Sequence, residues 1–202
     1  MRSSLAFIQV VKELAKIVEL KSKVAPGRYT VEDLRLRLGY DTGEMRRSDY
    51  DPSIIEQHER FNARLETLLL HPVIGTYLRE LTPQQPYQAS GVAVHHLDGI
   101  KEEIQSLSPG AYIVWHGYLV FASNAGGNAL CFHAPTGRVV WADHEMTEDS
   151  IMFKDPATGR YRELALTPEN LEVGLPTVTR DIPTFLTDLL HDRLTDQLDS
   201  LD

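Results

Sequence analysis

The chain has 202 residues, 42% of them hydrophobic and 24% charged, with a formal net charge of −9 at pH 7 and one cysteine, Cys131. This length suffices for one domain with a core of its own, and a single cysteine excludes an internal disulfide. Lys12, Glu13 and Lys16 interrupt the apolar residues near the N-terminus, so we expect neither a signal peptide nor a membrane span there. We therefore expect a cytoplasmic protein that does not enter a membrane.

The negative charge is concentrated toward the C-terminus. Residues 1–142 contain 15 acidic and 15 basic side chains, whereas residues 143–202 contain 14 acidic and 5 basic ones. Such a surface repels a phosphate backbone, so nucleic acid is not an expected partner. Two interpretations stay open: a solvated helix face with an acidic end, or a surface that attracts a basic partner.

The first third of the chain has the apolar spacing of helices. Phe7, Val11, Leu14 and Val18 fall on one face of a first helix, and residues 41–50 are polar enough to predict a loop. Capping and breaking signals predict where the other helices of this region begin or end: a capping box from Thr30 to Asp33, Gly39, Asp51-Pro52 and His71-Pro72.

A change of composition divides the chain. Residues 82–91 contain two prolines and three glutamines and end in glycine, which predicts a linker. Residues 1–81 would then form a helical region that packs on the domain or extends it, and residues 92–202 an α+β core.

Short β-branched and aromatic runs follow the predicted linker. They predict strands at residues 92–95, 111–115, 118–122, 129–133 and 138–142, with a helix at 100–107. The connections at 124–128 and 135–137 are short enough for hairpins, so antiparallel neighbours are expected. A closing amphipathic helix runs over 182–194 with Asp181 as its N-cap. The predicted fold class is α+β, with a central, mostly antiparallel sheet flanked by helices.

Residues 124–128 (NAGGN) and residues 143–145 (DHE) contain the candidate chemistry. Consecutive glycines can form a hairpin turn with positive φ, or they can expose backbone N–H groups that bind an anion. The turn is the better interpretation here because the sequence has no phosphate-loop spacing. Asp143, His144 and Glu145 could supply metal ligands or an acid–base pair, together with His95, His96, His116 or His133. Neighbours on an extended chain point to opposite faces, however, and no metal-binding spacing occurs. A hydrogen-bonding cluster at a strand end, or part of a partner-facing surface, is therefore preferred.

Cys131 and two tryptophans complete the list of candidate residues. Alternation along the strand places Cys131 opposite Leu130 and Phe132, and no base is within reach, so we expect a packed, unreactive thiol. Trp115 and Trp141 are either buried in the core or exposed as anchors for a protein partner.

The segment 117–145 resembles the SMI1/KNR4 family, also called the SUKH superfamily. The similar features are the strand and small-residue turn FASNAGGN, the strand ALCF, the G-x-V strand GRVVW and the end DHE, together with Phe185-Leu186 in the closing helix. The resemblance covers about half of the chain. It implies an α+β fold with a central antiparallel sheet, and a non-enzymatic role: many bacterial members look like immunity proteins that neutralise a toxin, and fungal relatives are regulatory scaffolds.

Two functions are weighed. The first is a cytoplasmic protein-binding module, of the immunity type, for a partner such as a basic toxin domain, with no catalytic residue, cofactor or metal. Its candidate contact residues are Asn124, Asn128, Trp141, Asp143, His144 and Glu145. The second is a small-ligand binder or hydrolase-type enzyme that uses the sheet histidines with Asp143 and Glu145; it requires His116, His133 or His144 to meet in one pocket. The oligomeric state stays open.

Overall fold

A computed structural model describes residues 2–201, with side chains from Val10 onward. Phe7, assigned above to the first helical face, lies outside the described side chains. Ten α-helices are found in the described chain: α1 (Arg2–Ser22), α2 (Val31–Leu38), α3 (Thr42–Arg47), α4 (Pro52–Leu70), α5 (Pro72–Thr76), α6 (Leu97–Ser106), α7 (Gly110–Ile113), α8 (Pro168–Gly174), α9 (Ile182–Leu190) and α10 (Thr195–Asp199). A π-helical turn (Tyr77–Leu81) and a 3₁₀ turn (Val114–His116) follow α5 and α7.

The described strands form two antiparallel sheets. They are β1 (Tyr87–Ala89), β2 (Val92–Val94), β3 (Tyr118–Ser123), β4 (Ala129–His133), β5 (Arg138–Ala142), β6 (Ser150–Lys154), β7 (Tyr161–Ala165) and β8 (Thr177–Thr179). Six strands lie in the order β1-β2-β3-β4-β5-β8, and β6 pairs with β7 in a separate hairpin. The predicted α+β class with a central antiparallel sheet is confirmed.

Local capping chemistry starts several helices where the sequence predicts. The Thr30 side chain accepts a hydrogen bond from Asp33 N, and the Asp33 side chain accepts one from Thr30 N, so α2 opens with a capping box. Asp51 and Asp181 cap α4 and α9 through their carboxylates, which accept hydrogen bonds from Ser53 N and Thr184 N. The predicted loop at 41–50 is wrong in part, because Asp41 accepts a hydrogen bond from Glu44 N and begins the short helix α3.

The hydrophobic core extends over both faces of the six-stranded sheet. On one face, Phe121 and Phe132 stack with ring centroids 3.9 Å apart, and Tyr77 from the π-helical turn meets both rings edge-on. On the other face, Cys131 and Val140 pack with Ile113 and Leu171. Tyr77 and residues of α1, α2, α4 and α5 share one core cluster with the sheet, so these helices pack on the sheet, whereas α3 has no buried residue.

Two further predictions differ from the structure. Residues 87–89, placed in the linker, form edge strand β1, which pairs with β2 through Tyr87↔Val94 and Ala89↔Val92. The predicted strand at 111–115 is instead α7 and the 3₁₀ turn, which end at Gly117 with φ +89. A short apolar run fits a buried helix or a buried strand equally well, so periodicity alone could not separate the two.

Candidate functional site

The loop at residues 124–128, between β3 and β4, is closed by its own first side chain. Asn124 Oδ1 accepts hydrogen bonds from the backbone N–H groups of Gly126, at 3.0 Å, and Asn128, at 2.9 Å. The Gly127 N–H donates to the Asn124 carbonyl at 3.1 Å, and Gly127 has φ +92. These amides therefore serve the turn and are not directed outward at an anion, which supports the hairpin interpretation of the two glycines.

This hairpin loop contacts the chain where it leaves β5. Asn128 Oδ1 accepts from His144 N–H at 3.1 Å and lies 3.0 Å from His144 Nδ1, which must be the protonated nitrogen if it donates to that oxygen. A Cβ on Gly127 would lie 3.3 Å from His144 Cγ, so glycine allows the ring to approach. The structure thus brings His144 against the hairpin loop of Asn124 and Asn128, although His144 lies 16 residues after Asn128 in the sequence.

Residues 143–149 (DHEMTED), here called the acidic turn, continue from this contact. Asp143 Oδ1 accepts a hydrogen bond from Glu145 N–H at 2.8 Å. The chain therefore bends after β5, and the three residues of the DHE motif do not continue the strand. Ser108 Oγ lies 2.9 Å from the carbonyl oxygen of Thr147 and 3.2 Å from that of His144. The Ser108 hydroxyl therefore fixes the backbone of the turn, while the side chains of Glu145, Glu148 and Asp149 stay exposed.

An open groove of about 470 Å³ lies beside the acidic turn, between the β6–β7 hairpin and α8. We call it the apolar groove. Val173 is 62% exposed and Tyr161 52% exposed, which is unusual for large apolar side chains. Asp143 and Lys154 are its charged lining residues, and much of its apolar lining comes from Met146, Met152, Phe153, Tyr161, Val173 and Leu201.

Trp141 lies at the base of the apolar groove and is not an exposed anchor. Its side chain is 2% exposed and belongs to the core on one face of the sheet, so the buried interpretation holds for this candidate. Its Nε1 has no hydrogen-bond partner among the described residues. Trp141 therefore lies at the groove floor, and Asp143 lines the groove where the half-buried His144 and the exposed Glu145 follow it in the chain.

His144 lies apart from His116 and His133, which are neighbours because the pairing partner of His133 on β3 is Tyr118, two residues after His116. His133 lies at the opposite end of β4 from Asn128, about 17 Å along the strand at the usual rise per residue. It stacks on Tyr118 with ring centroids 4.1 Å apart, and its Nδ1 lies 2.7 Å from Thr136 Oγ1. Burial, aided by the Arg138 charge, lowers the pKa of His133 to about 4, so this ring is neutral near pH 7. His133 and His144 therefore share no pocket.

Sequence reasoning missed a polar cluster at the end of β3. His95 Nε2 lies 3.0 Å from Ser123 Oγ and 3.3 Å from Glu103 Oε1, and Glu103 is only 6% exposed. A serine relay needs the acid on one ring nitrogen and the hydroxyl on the other, whereas both contacts here use Nε2. The three residues come from β3, α6 and the segment after β2, so no local spacing could have revealed them.

Cys131 is fully buried, and burial raises the pKa of its thiol well above the usual value. A buried thiol held in its neutral form is a poor nucleophile, as expected from the sequence. Among the described residues, no three histidine, cysteine, aspartate or glutamate side chains are grouped so that they could hold a metal ion. No helix within residues 2–201 has the length and apolar character needed to cross a membrane.

Comparison of the chain with protein-family models, with curated proteins and with solved structures gives no match in any of the three.

Proposed function

We propose that this chain is a protein-binding module of the immunity type, and that it binds a basic partner through the acidic turn and the apolar groove. One observation carries the proposal: an exposed apolar groove lies directly beside a turn with four acidic and no lysine or arginine side chains. Protein interfaces combine an apolar centre with a polar rim, and this surface has both parts.

The shape of the surface suits a partner with a protruding apolar side chain. Val173 and Tyr161 flank the groove, and their exposure leaves apolar area for a partner to bury. The Lys154 Nζ lies 5.6 Å from the Tyr161 ring centroid, so this wall of the groove already presents a cation over an aromatic face. The partner's own cations would therefore pair with the acidic turn at the other rim.

The charge of the acidic turn would speed association with a basic partner. Asp143, Glu145, Glu148 and Asp149 lie within seven residues, and opposite charges at an interface rim steer diffusional encounter. Toxin nucleases are commonly basic because they bind nucleic acid, and the resemblance to the SMI1/KNR4 family points to such a partner. Asn124, Asn128 and His144 would shape this end of the surface by fixing the turn against the hairpin loop.

The direct test measures binding to the products of neighbouring genes, each purified separately. We expect one of them to bind, with an affinity that falls as ionic strength rises. The double variant Glu148→Lys/Asp149→Lys should weaken that binding at least tenfold, mainly through the association rate, and Val173→Asp should weaken it through the dissociation rate.

The matched control is Glu102→Lys/Asp196→Lys, which changes the net charge equally at exposed positions outside the acidic turn and the groove. It should bind within about twofold of the wild type, which is the spread expected for distant surface substitutions. Equal weakening by both double variants would mean that only net charge matters, and the assignment of this surface would be wrong.

A further inference from the structure

A second groove, of opposite charge, runs along the outer face of α4. Ser53, Gln57, Arg60, Arg64 and Thr67 all line it, at spacings of four, three, four and three residues, so they form one stripe of the helix. The groove measures about 820 Å³. We call it the arginine groove; every residue of the stripe can donate a hydrogen bond, and no acidic side chain lines it.

Trp115, from the 3₁₀ turn, also lines the arginine groove. Its ring meets Phe61 edge-on with centroids 5.8 Å apart, which fixes it against the core, yet the residue stays partly exposed. A neighbouring groove of about 370 Å³ shares Arg64 and Thr67 and continues past His71 and Pro135. The two grooves therefore adjoin at Arg64 and Thr67, and we refer to the two together as the channel.

The positive charge in this channel is available to a ligand. Arg60 pairs with Glu56 at 2.6 Å, but both side chains are well exposed, so this pair contributes little. Within the described part of the chain Arg64 has no ion-pair partner, and its charge adds to burial in lowering the pKa of His116. Glu66, which lines the neighbouring groove, is already held by Arg35 through two hydrogen bonds of 2.6 and 2.7 Å.

We propose that the arginine groove binds a short, extended acidic segment of a protein partner. From Ser53 to Thr67 the helix rises about 21 Å, which matches about six residues of extended peptide. Arg64 would bind a carboxylate through two parallel N–H groups, and Trp115 would pack against the segment's apolar atoms. The segment must be short, because the net charge of −9 opposes a long polyanion such as nucleic acid.

Fluorescence anisotropy tests the proposal on the full chain. The probe is a labelled octapeptide of alternating glutamate and serine, titrated at low and at high salt. We expect a Kd of about 100 μM or tighter at low salt, weakened at high salt. Arg64→Gln should weaken binding about tenfold, the range of one charge-assisted contact. Arg160→Gln, an exposed arginine in the β6–β7 turn, should bind like the wild type.

Three outcomes overturn the proposal: no binding at 1 mM peptide, equal losses in the two arginine variants, or tighter binding of an oligouridylate of equal charge. The last would assign the channel to nucleic acid. A second variant, Trp115→Leu, should also weaken peptide binding at least threefold. Circular dichroism shows whether this variant keeps the fold. If the folded Trp115→Leu protein binds the peptide with unchanged affinity, the assignment of the arginine groove is wrong. None of these results depends on the acidic turn, so this proposal and the proposed function fail separately.

Discussion

Replacing Tyr77 with phenylalanine should stabilise the protein, although most core substitutions destabilise. The Tyr77 side chain is 3% exposed, and its hydroxyl has no hydrogen-bond partner among the described residues. A buried hydroxyl without a partner costs about 1–3 kcal/mol relative to water, whereas the ring contacts with Phe121 and Phe132 persist in phenylalanine. We therefore expect a gain of about 1 kcal/mol or more, or roughly 2–4 °C in Tm for a chain of this length.

The same substitution should matter more at alkaline pH. Burial raises the pKa of Tyr77 well above the usual value, so the unfolded state loses this proton first as pH rises past about 10. The folded protein then holds more protons than the unfolded one, and stability falls with rising pH. Tyr77→Phe removes this contribution, so its advantage over the wild type should grow above pH 10.

Denaturant melts at pH 7 and pH 10.5 measure both effects. The matched control is Tyr118→Phe, because the Tyr118 hydroxyl accepts a hydrogen bond from the buried Arg138 at 3.1 Å. Loss of the Tyr118 hydroxyl would leave the buried Arg138 charge with fewer hydrogen-bond partners and should lower the free energy of unfolding by about 1–3 kcal/mol. A Tyr77→Phe protein less stable than the wild type by more than about 0.5 kcal/mol would show that the Tyr77 hydroxyl is bonded in the folded state.

Three further predictions concern stability and reactivity. Because the pKa of His133 is lowered to about 4, the neutral ring contributes fully to the free energy of unfolding above pH 6.5. This contribution, up to about 3 kcal/mol, is lost as the pH falls from 6.5 to 4. In denaturant melts, the stability of His133→Gln should therefore fall less over this pH range than that of the wild type. Gly127→Ala should lower the free energy of unfolding by at least about 1 kcal/mol more than Gly137→Ala does, because both glycines have positive φ but only an added Cβ at residue 127 would approach His144. Equal losses of stability in the two variants would refute the contact with His144. Cys131 should react with a thiol reagent only as fast as the protein opens, and rapid labelling of the folded chain would contradict its burial.

Much of the sheet could be predicted from the sequence because its strands carry local signals. β4 and β5 are bounded by glycine-containing turns, and both were predicted with their observed limits. The β6–β7 hairpin was not predicted as strands. β7 is largely exposed and β6 is mostly half-buried, so neither strand shows a clear alternation of apolar and polar residues.

The candidate site could be predicted only in part. The sequence singled out Asn124, Asn128 and the DHE motif, and the structure joins them through Asn128 and His144. The apolar groove was not foreseen, because it arises where the β6–β7 hairpin, α8 and the acidic turn meet. Such a surface depends on tertiary packing and leaves no local spacing to read.

Hydrogen exchange on the complex with a basic partner tests the central claim most directly. Backbone amides of the free and bound chain would be compared residue by residue after mixing with the partner identified by binding. We expect new protection in residues 143–156 and 171–176, which form the acidic turn and the walls of the apolar groove. If amide exchange in both segments stays the same when the partner is bound, the assignment of this surface is wrong.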